Sequence, residues 1–140
     1  MSEYHEHIAV LITRVFLGIL FFIQGYDKVF NVKLKGVIQT FKFEMNKPHL
    51  PGFVFTLSAY YTSYIELIGG LMLIIGFMKY YALYALGVDL ILVAIAMGMV
   101  KPVWDMGLVF PRLVLLLTLL LVPESWDIFS LDHLLNSNNN

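Results

Sequence analysis

The 140-residue chain is 59% apolar and only 14% charged, with a net charge of −1, whereas soluble domains average about 45–50% apolar and about 25% charged. A mean hydropathy of +0.79 and a pI near 6.4 exclude a disordered chain, argue against a water-soluble globule and give no electrostatic case for a nucleic-acid partner. The absence of cysteine removes disulfide frameworks, Cys-ligated zinc, thiol relays and iron–sulfur clusters.

A helix that crosses a hydrocarbon core of about 30 Å needs about 20 mostly apolar residues. The first stretch to qualify is Ile8–Phe30, with 23 residues. Its leader is acidic and an arginine interrupts the apolar run, so it is expected to stay attached rather than be cleaved as a signal peptide. Between Gly36 and Asn46, Val37, Ile38, Phe41 and Met45 recur at helical spacing, fenced off by Pro48 and Pro51. That pattern predicts a short amphipathic helix at the membrane interface, either a surface anchor or a lid over a site between the helices. The remaining stretches are Phe53–Met78, Tyr80–Val100 and Val103–Val122, of 26, 21 and 20 residues. They are punctuated by Lys79, by Lys101-Pro102 and by Pro123-Glu124. Residues 133–140 read as a flexible polar tail. The expected fold is all-α: one membrane domain, an up-down antiparallel four-helix bundle with an interfacial helix in its first loop.

Loops one and three, with the end of the first span, hold Lys28, Lys33, Lys35, Lys42, Lys47 and Lys101, while the opposite side has only Lys79. The excess of cations favours these loops in the cytoplasm and both termini outside.

Each span carries an ionisable group: Arg14, Glu66, Asp89 and Arg112. A charge at the bilayer centre costs about 2.5–3.5 kcal/mol on insertion scales unless it is paired within the bundle. At about 1.5 Å per residue, Arg14 lies about 9 Å, Asp89 about 13 Å, Arg112 about 15 Å and Glu66 about 18 Å from the face holding the termini. An antiparallel bundle would then gather two positive and two negative groups in one layer. The expectation is an interhelical ionic network, with a functional or a purely register-fixing role. Gly18 and Gly25 share the Arg14 face of the first span, and Gly69 and Gly70 share the Glu66 face of the second, so these glycines read as helix-packing seams. Pro111 is expected to kink the fourth helix and free a carbonyl for the network. Gln24, Tyr26, Lys28, Thr62 and Ser63 form a second polar group nearer loop one. They read as a polar cleft between the first two spans, or as crowded packing.

The spacing Arg14-x3-Gly18-x6-Gly25-x2-Lys28, followed by Glu66-x2-Gly69-Gly70-x2-Leu73-x2-Gly76 and the ending Ser130-Leu131-Asp132, resembles the DoxX family. The resemblance runs from about Arg14 to Leu134. It implies a small four-helix protein of a bacterial inner (cytoplasmic) membrane. Namesakes of that family are subunits of thiosulfate:quinone oxidoreductase or terminal quinol oxidase systems, which implies other membrane subunits or a homo-oligomer as partners.

His5, His7, His49 and His133 all lie outside the spans, so a bis-His haem within the membrane is excluded. His5-x-His7 reads as solvated rather than as a metal site, and no metal is expected. Quinone chemistry needs hydrogen-bond partners for two carbonyl oxygens and a nearby proton carrier. Glu66 or Asp89 suits the proton role, and Arg14, Lys28 or a tyrosine suits a carbonyl. The leading expectation is an accessory subunit of a quinone-linked membrane redox complex, without a redox centre of its own. The alternatives are a structural or assembly subunit and a small carrier or proton-conducting module.

Overall fold

Apolar runs in this chain form helices because, in lipid, a segment must satisfy its own backbone hydrogen bonds. A computed structural model describes residues 3–44, 51–100, 107 and 109–137, and the secondary structure among them is helical throughout, with no strand. In chain order these are α1 (Glu3–Tyr26), a π-helical turn (Asp27–Asn31), α2 (Lys33–Glu44), α3 (Gly52–Ile75), α4 (Lys79–Val100), α5 (Val109–Leu121), a 3-10 turn (Glu124–Trp126) and α6 (Leu131–Ser137).

Three helical segments are long and apolar enough to cross a membrane: Tyr4–Asn31, Gly52–Ile75 and Lys79–Ala96. The fourth expected span, 103–122, is described as a helix only from Val109, and these 13 residues cover about 20 Å. Pro111 is the third described residue of α5, a first-turn position where no intrahelical partner is needed for its missing N–H. The segment read as a polar tail begins as helix, since α6 runs through Ser137. A helix, α2, occupies the segment expected to be amphipathic: Val37 is buried, Ile38 and Phe41 are half-buried, and Gln39 and Lys42 face outward. Met45, the last residue of its expected apolar stripe, lies outside the described residues.

The most extensive contact is between α1 and α3, and glycine explains it. A Cβ on Gly18 would sit 2.9 Å from the Gly70 carbonyl oxygen, and one on Gly25 or Gly70 would collide with backbone of Leu67 or Phe22. Gly69 opens the other side of α3 to the Leu86 side chain of α4. The seams read from the sequence are therefore real backbone-to-backbone contacts. α3 ends in a Schellman motif: Gly76 is left-handed at φ 71°, its N–H donates to Leu73 O, and Phe77 N–H donates to Met72 O.

Inside the bundle, Leu17 and Phe21 of α1, Leu73 of α3, Leu83 and Leu86 of α4 and Leu116 of α5 form one buried apolar cluster. Along α1 and its π-helical turn the belt falls between Arg14 and Lys28, and on α4 between Lys79 and Asp89, while Glu66 of α3 and Arg112 of α5 lie on its loop-one side. It divides the polar interior into an outer layer near the termini and an inner layer near loop one.

Candidate functional site

The outer layer is a clamp. Arg14, 1% exposed, directs Nε at Asp127 Oδ1 (3.2 Å). Its Nη1 donates to Leu73 O (2.7 Å) and Ile74 O (3.2 Å), and its Nη2 donates to Phe129 O (3.0 Å). These carbonyls include ones left free at the end of α3, where a guanidinium also complements the helix dipole. The second oxygen of Asp127 pairs with Lys79 Nζ at 3.0 Å. Asp132 accepts the N–H groups of Met78 (2.8 Å) and Lys79 (3.0 Å) and so caps α4. Ser130 Oγ donates to Asp127 O, and Asp132 N–H donates to Gly76 O. His7 of the anticipated His5-x-His7 pair is engaged through Nδ1 with Trp126 O at 2.8 Å. Every charged group here has a partner, so the clamp fastens the C-terminal segment to α1, α3 and α4.

The single four-charge layer therefore does not form. Arg14 belongs to the outer clamp, while Glu66, Asp89 and Arg112 belong to the inner layer with Lys28. Depth along a helix does not specify the neighbour, and Arg14 finds its carboxylate in a segment that folds back after the last span. Lys79 is likewise a buried partner rather than a loop charge.

The inner layer is built differently. α1 widens into the π-helical turn, closed by Val32 N–H donating to Asp27 O, and such turns often mark functional sites. From that turn Lys28 Nζ reaches Glu66 Oε2 at 2.6 Å. Arg112 Nη1 donates to Gln24 Oε1 at 2.6 Å, and its guanidinium stands 5.8 Å from the centre of the Phe21 ring. Asp89 on α4 lies within side-chain hydrogen-bonding reach of Glu66.

These side chains border a cavity of about 350 Å³ on the loop-one side of the belt. Gln24, Lys28, Ser58, Thr62, Glu66 and Arg112 supply its polar lining, and the rest is apolar, including Val54, Phe55 and Val93. Phe41 of α2 also lines it, which is the placement a lid would have. Of the polar group expected from the sequence, Tyr26 does not take part. It is exposed and packs its ring against Phe30 and Phe22, outside the cavity. Ser63 is fully buried but does not line the wall. Phe41 and Ser58 were not anticipated: Phe41 was assigned only to the apolar stripe of α2, and Ser58 precedes the polar run. A second cleft of about 350 Å³, bordered by Val10, Leu119, Val122 and Trp126, is almost wholly apolar and offers no comparable ion-paired end.

Four buried polar atoms of the inner layer have no partner among the described residues: Thr62 Oγ1, Ser63 Oγ and both oxygens of Asp89. Such atoms are rare in native proteins and mark strain or a position where water or a ligand binds. No group of three or more His, Cys, Asp or Glu placed to hold a metal occurs among the described residues.

The apolar helices of spanning length and the ion pairs buried between them define a small helical integral membrane protein. Residues 9–101 match the family model DoxX, and the chain belongs to the DoxX family. The match takes in Arg14, Lys28, Glu66 and Asp89 but ends before Arg112 and Asp127. Comparisons with curated proteins and with solved structures returned no match.

Proposed function

We propose that this chain binds a quinone-class ligand in the inner cavity and serves as an accessory subunit of a membrane redox complex. The carrying observation is the cavity itself, whose polar end presents Lys28, Thr62 and Arg112 beside Glu66, and whose remaining wall is mainly apolar. A quinone has that same division, with carbonyl oxygens on a ring and an apolar tail. Lys28 and Arg112 are donors suited to the carbonyls, and the orphaned Thr62 hydroxyl supplies a further one. The chain has no cysteine and no histidine lines the cavity, so on this reading electrons come from a partner subunit. On this reading α5, with the residues before it, completes a fourth crossing of an up-down bundle in a bacterial inner membrane. The exposed Lys33, Lys35 and Lys42 of α2 support a cytoplasmic first loop and outward termini.

The test is purification in mild detergent, followed by mass spectrometry of bound small molecules and co-purifying proteins. A quinone and a redox-active membrane partner are expected with the wild type, and the quinone is expected to be lost from Val93→Phe, which fills the cavity. Wild-type protein that carries neither overturns the proposal.

A further inference from the structure

Thr62 faces the cavity, but Asp89 is fully buried and does not line it. The groups facing Asp89 are Glu66 and Tyr61 from α3, Lys28 from the π-helical turn and Arg112 from α5. The hydrogen bonds and ion pair that these donors form go to other groups. Lys28 Nζ pairs with Glu66 Oε2 at 2.6 Å, Arg112 donates to Gln24, and the Tyr61 hydroxyl donates to Ala85 O at 3.1 Å. Neither Asp89 oxygen receives a hydrogen bond. A bare carboxylate so placed has lost its hydration without compensation, whereas a carboxylic acid can direct its O–H to the neighbouring carboxylate. The Glu66 carboxylate stands at that position, already fixed by Lys28.

We infer that Asp89 and Glu66 hold one proton between them, and that Asp89 stores this proton for the ligand in the cavity, with Glu66 passing it on. The inference rests on the quinone reading. When a redox partner subunit delivers two electrons to a bound quinone, the Asp89 O–H bond breaks as Glu66 takes its proton, and the Glu66 O–H bond breaks in turn as one quinone oxygen forms its O–H bond. Glu66 is then a carboxylate again, and Asp89 is left as a second carboxylate facing Lys28 and Arg112. The other proton of the quinol comes from the loop-one face, since the leucine belt separates Asp89 from the clamp. Asp89 thus acts through Glu66 as a positioning residue, and Glu66 is the group that touches the ligand.

Infrared spectroscopy of the ligand-free protein in nanodiscs at neutral pH tests the shared proton. The expected spectrum has a protonated-carboxyl band that moves in heavy water and shifts when side-chain carboxyls of aspartate or glutamate carry carbon-13. Asp89→Asn is expected to abolish it, and Asp27→Asn, at an exposed position, to leave it. The isotope labels read the wild type directly, so the result stands even if Asp89→Asn does not fold. Absence of the band, or a band indifferent to both labels, overturns the inference. Adding a short-chain quinone and reducing it is then expected to diminish the band. A quinone that raises the melting temperature but leaves the band untouched overturns the exchange and leaves the binding reading standing. A quinone that does not bind overturns the binding reading and the exchange with it, while the ligand-free band still locates the proton.

Discussion

Arg14 and Lys28 lie on the same helical segment, and each reaches a buried carboxylate, yet they serve opposite kinds of environment. Around Arg14 the guanidinium meets Asp127 and three carbonyls, and Lys79 and Asp132 complete a closed network. Around Lys28 the network stops short: a cavity adjoins it and Thr62, Ser63 and Asp89 keep polar atoms without partners. Satisfied charges in a membrane protein hold segments in place. Unsatisfied ones beside a cavity of ligand size point to something that comes and goes.

The comparison breaks most visibly at the clamp. Arg14→Ala leaves Asp127 with Lys79 alone and strands the carbonyls of Leu73, Ile74 and Phe129, and losing one partner of a buried pair costs about 3–5 kcal/mol. Denaturant unfolding in detergent micelles should register a loss of that order. At the α1–α3 seam, Gly70→Val forces a side chain against Phe22 backbone, a kind of overpacking that costs about 1–3 kcal/mol. The same unfolding measurement should place it below the arginine. Thr62→Val tests the inner layer with the opposite sign. Removing a buried hydroxyl that lacks a partner should leave the ligand-free protein as stable or about 1 kcal/mol more so, while quinone binding weakens in a titration. Pro111→Ala should be the mildest change, within about 0.5 kcal/mol by calorimetry, because the proline occupies the first turn of α5.

Much of the architecture was legible because it rests on local rules. Three of the apolar stretches became helices of spanning length, and Gly18, Gly25, Gly69 and Gly70 marked the seams through the absence of a Cβ. The α2 stripe of Val37, Ile38 and Phe41 announced a helix in the same way. The layout of charges was only half legible. Depth along each span placed Glu66, Asp89 and Arg112 together but also drew in Arg14, whose true partner lies more than a hundred residues away beyond the last span. Asp127 was not singled out, and Asp132 stood only in the Ser130-Leu131-Asp132 ending, because hydropathy does not reveal a segment that folds back. Lys28 was counted with the loop cations and also read into the polar cleft, but its pairing with Glu66 was not legible because the sequence does not reveal a π-helical turn. Tyr26 was misplaced for a related reason: it neighbours the cavity residues in sequence, but its ring lies on the outer face of α1.

The central claim is that the inner layer binds a ligand and the outer layer only holds the fold. It is tested most directly by thermal unfolding in nanodiscs with and without a short-chain quinone. Ligand at 100 times its Kd stabilises the binding form by about 2.7 kcal/mol, so the wild-type melting temperature should rise saturably. Asp132→Asn, in the clamp, should start lower yet show the same rise, and Val93→Phe, in the cavity, should show none. A wild type that does not respond, or a Val93→Phe protein that responds as the wild type does, would contradict the account.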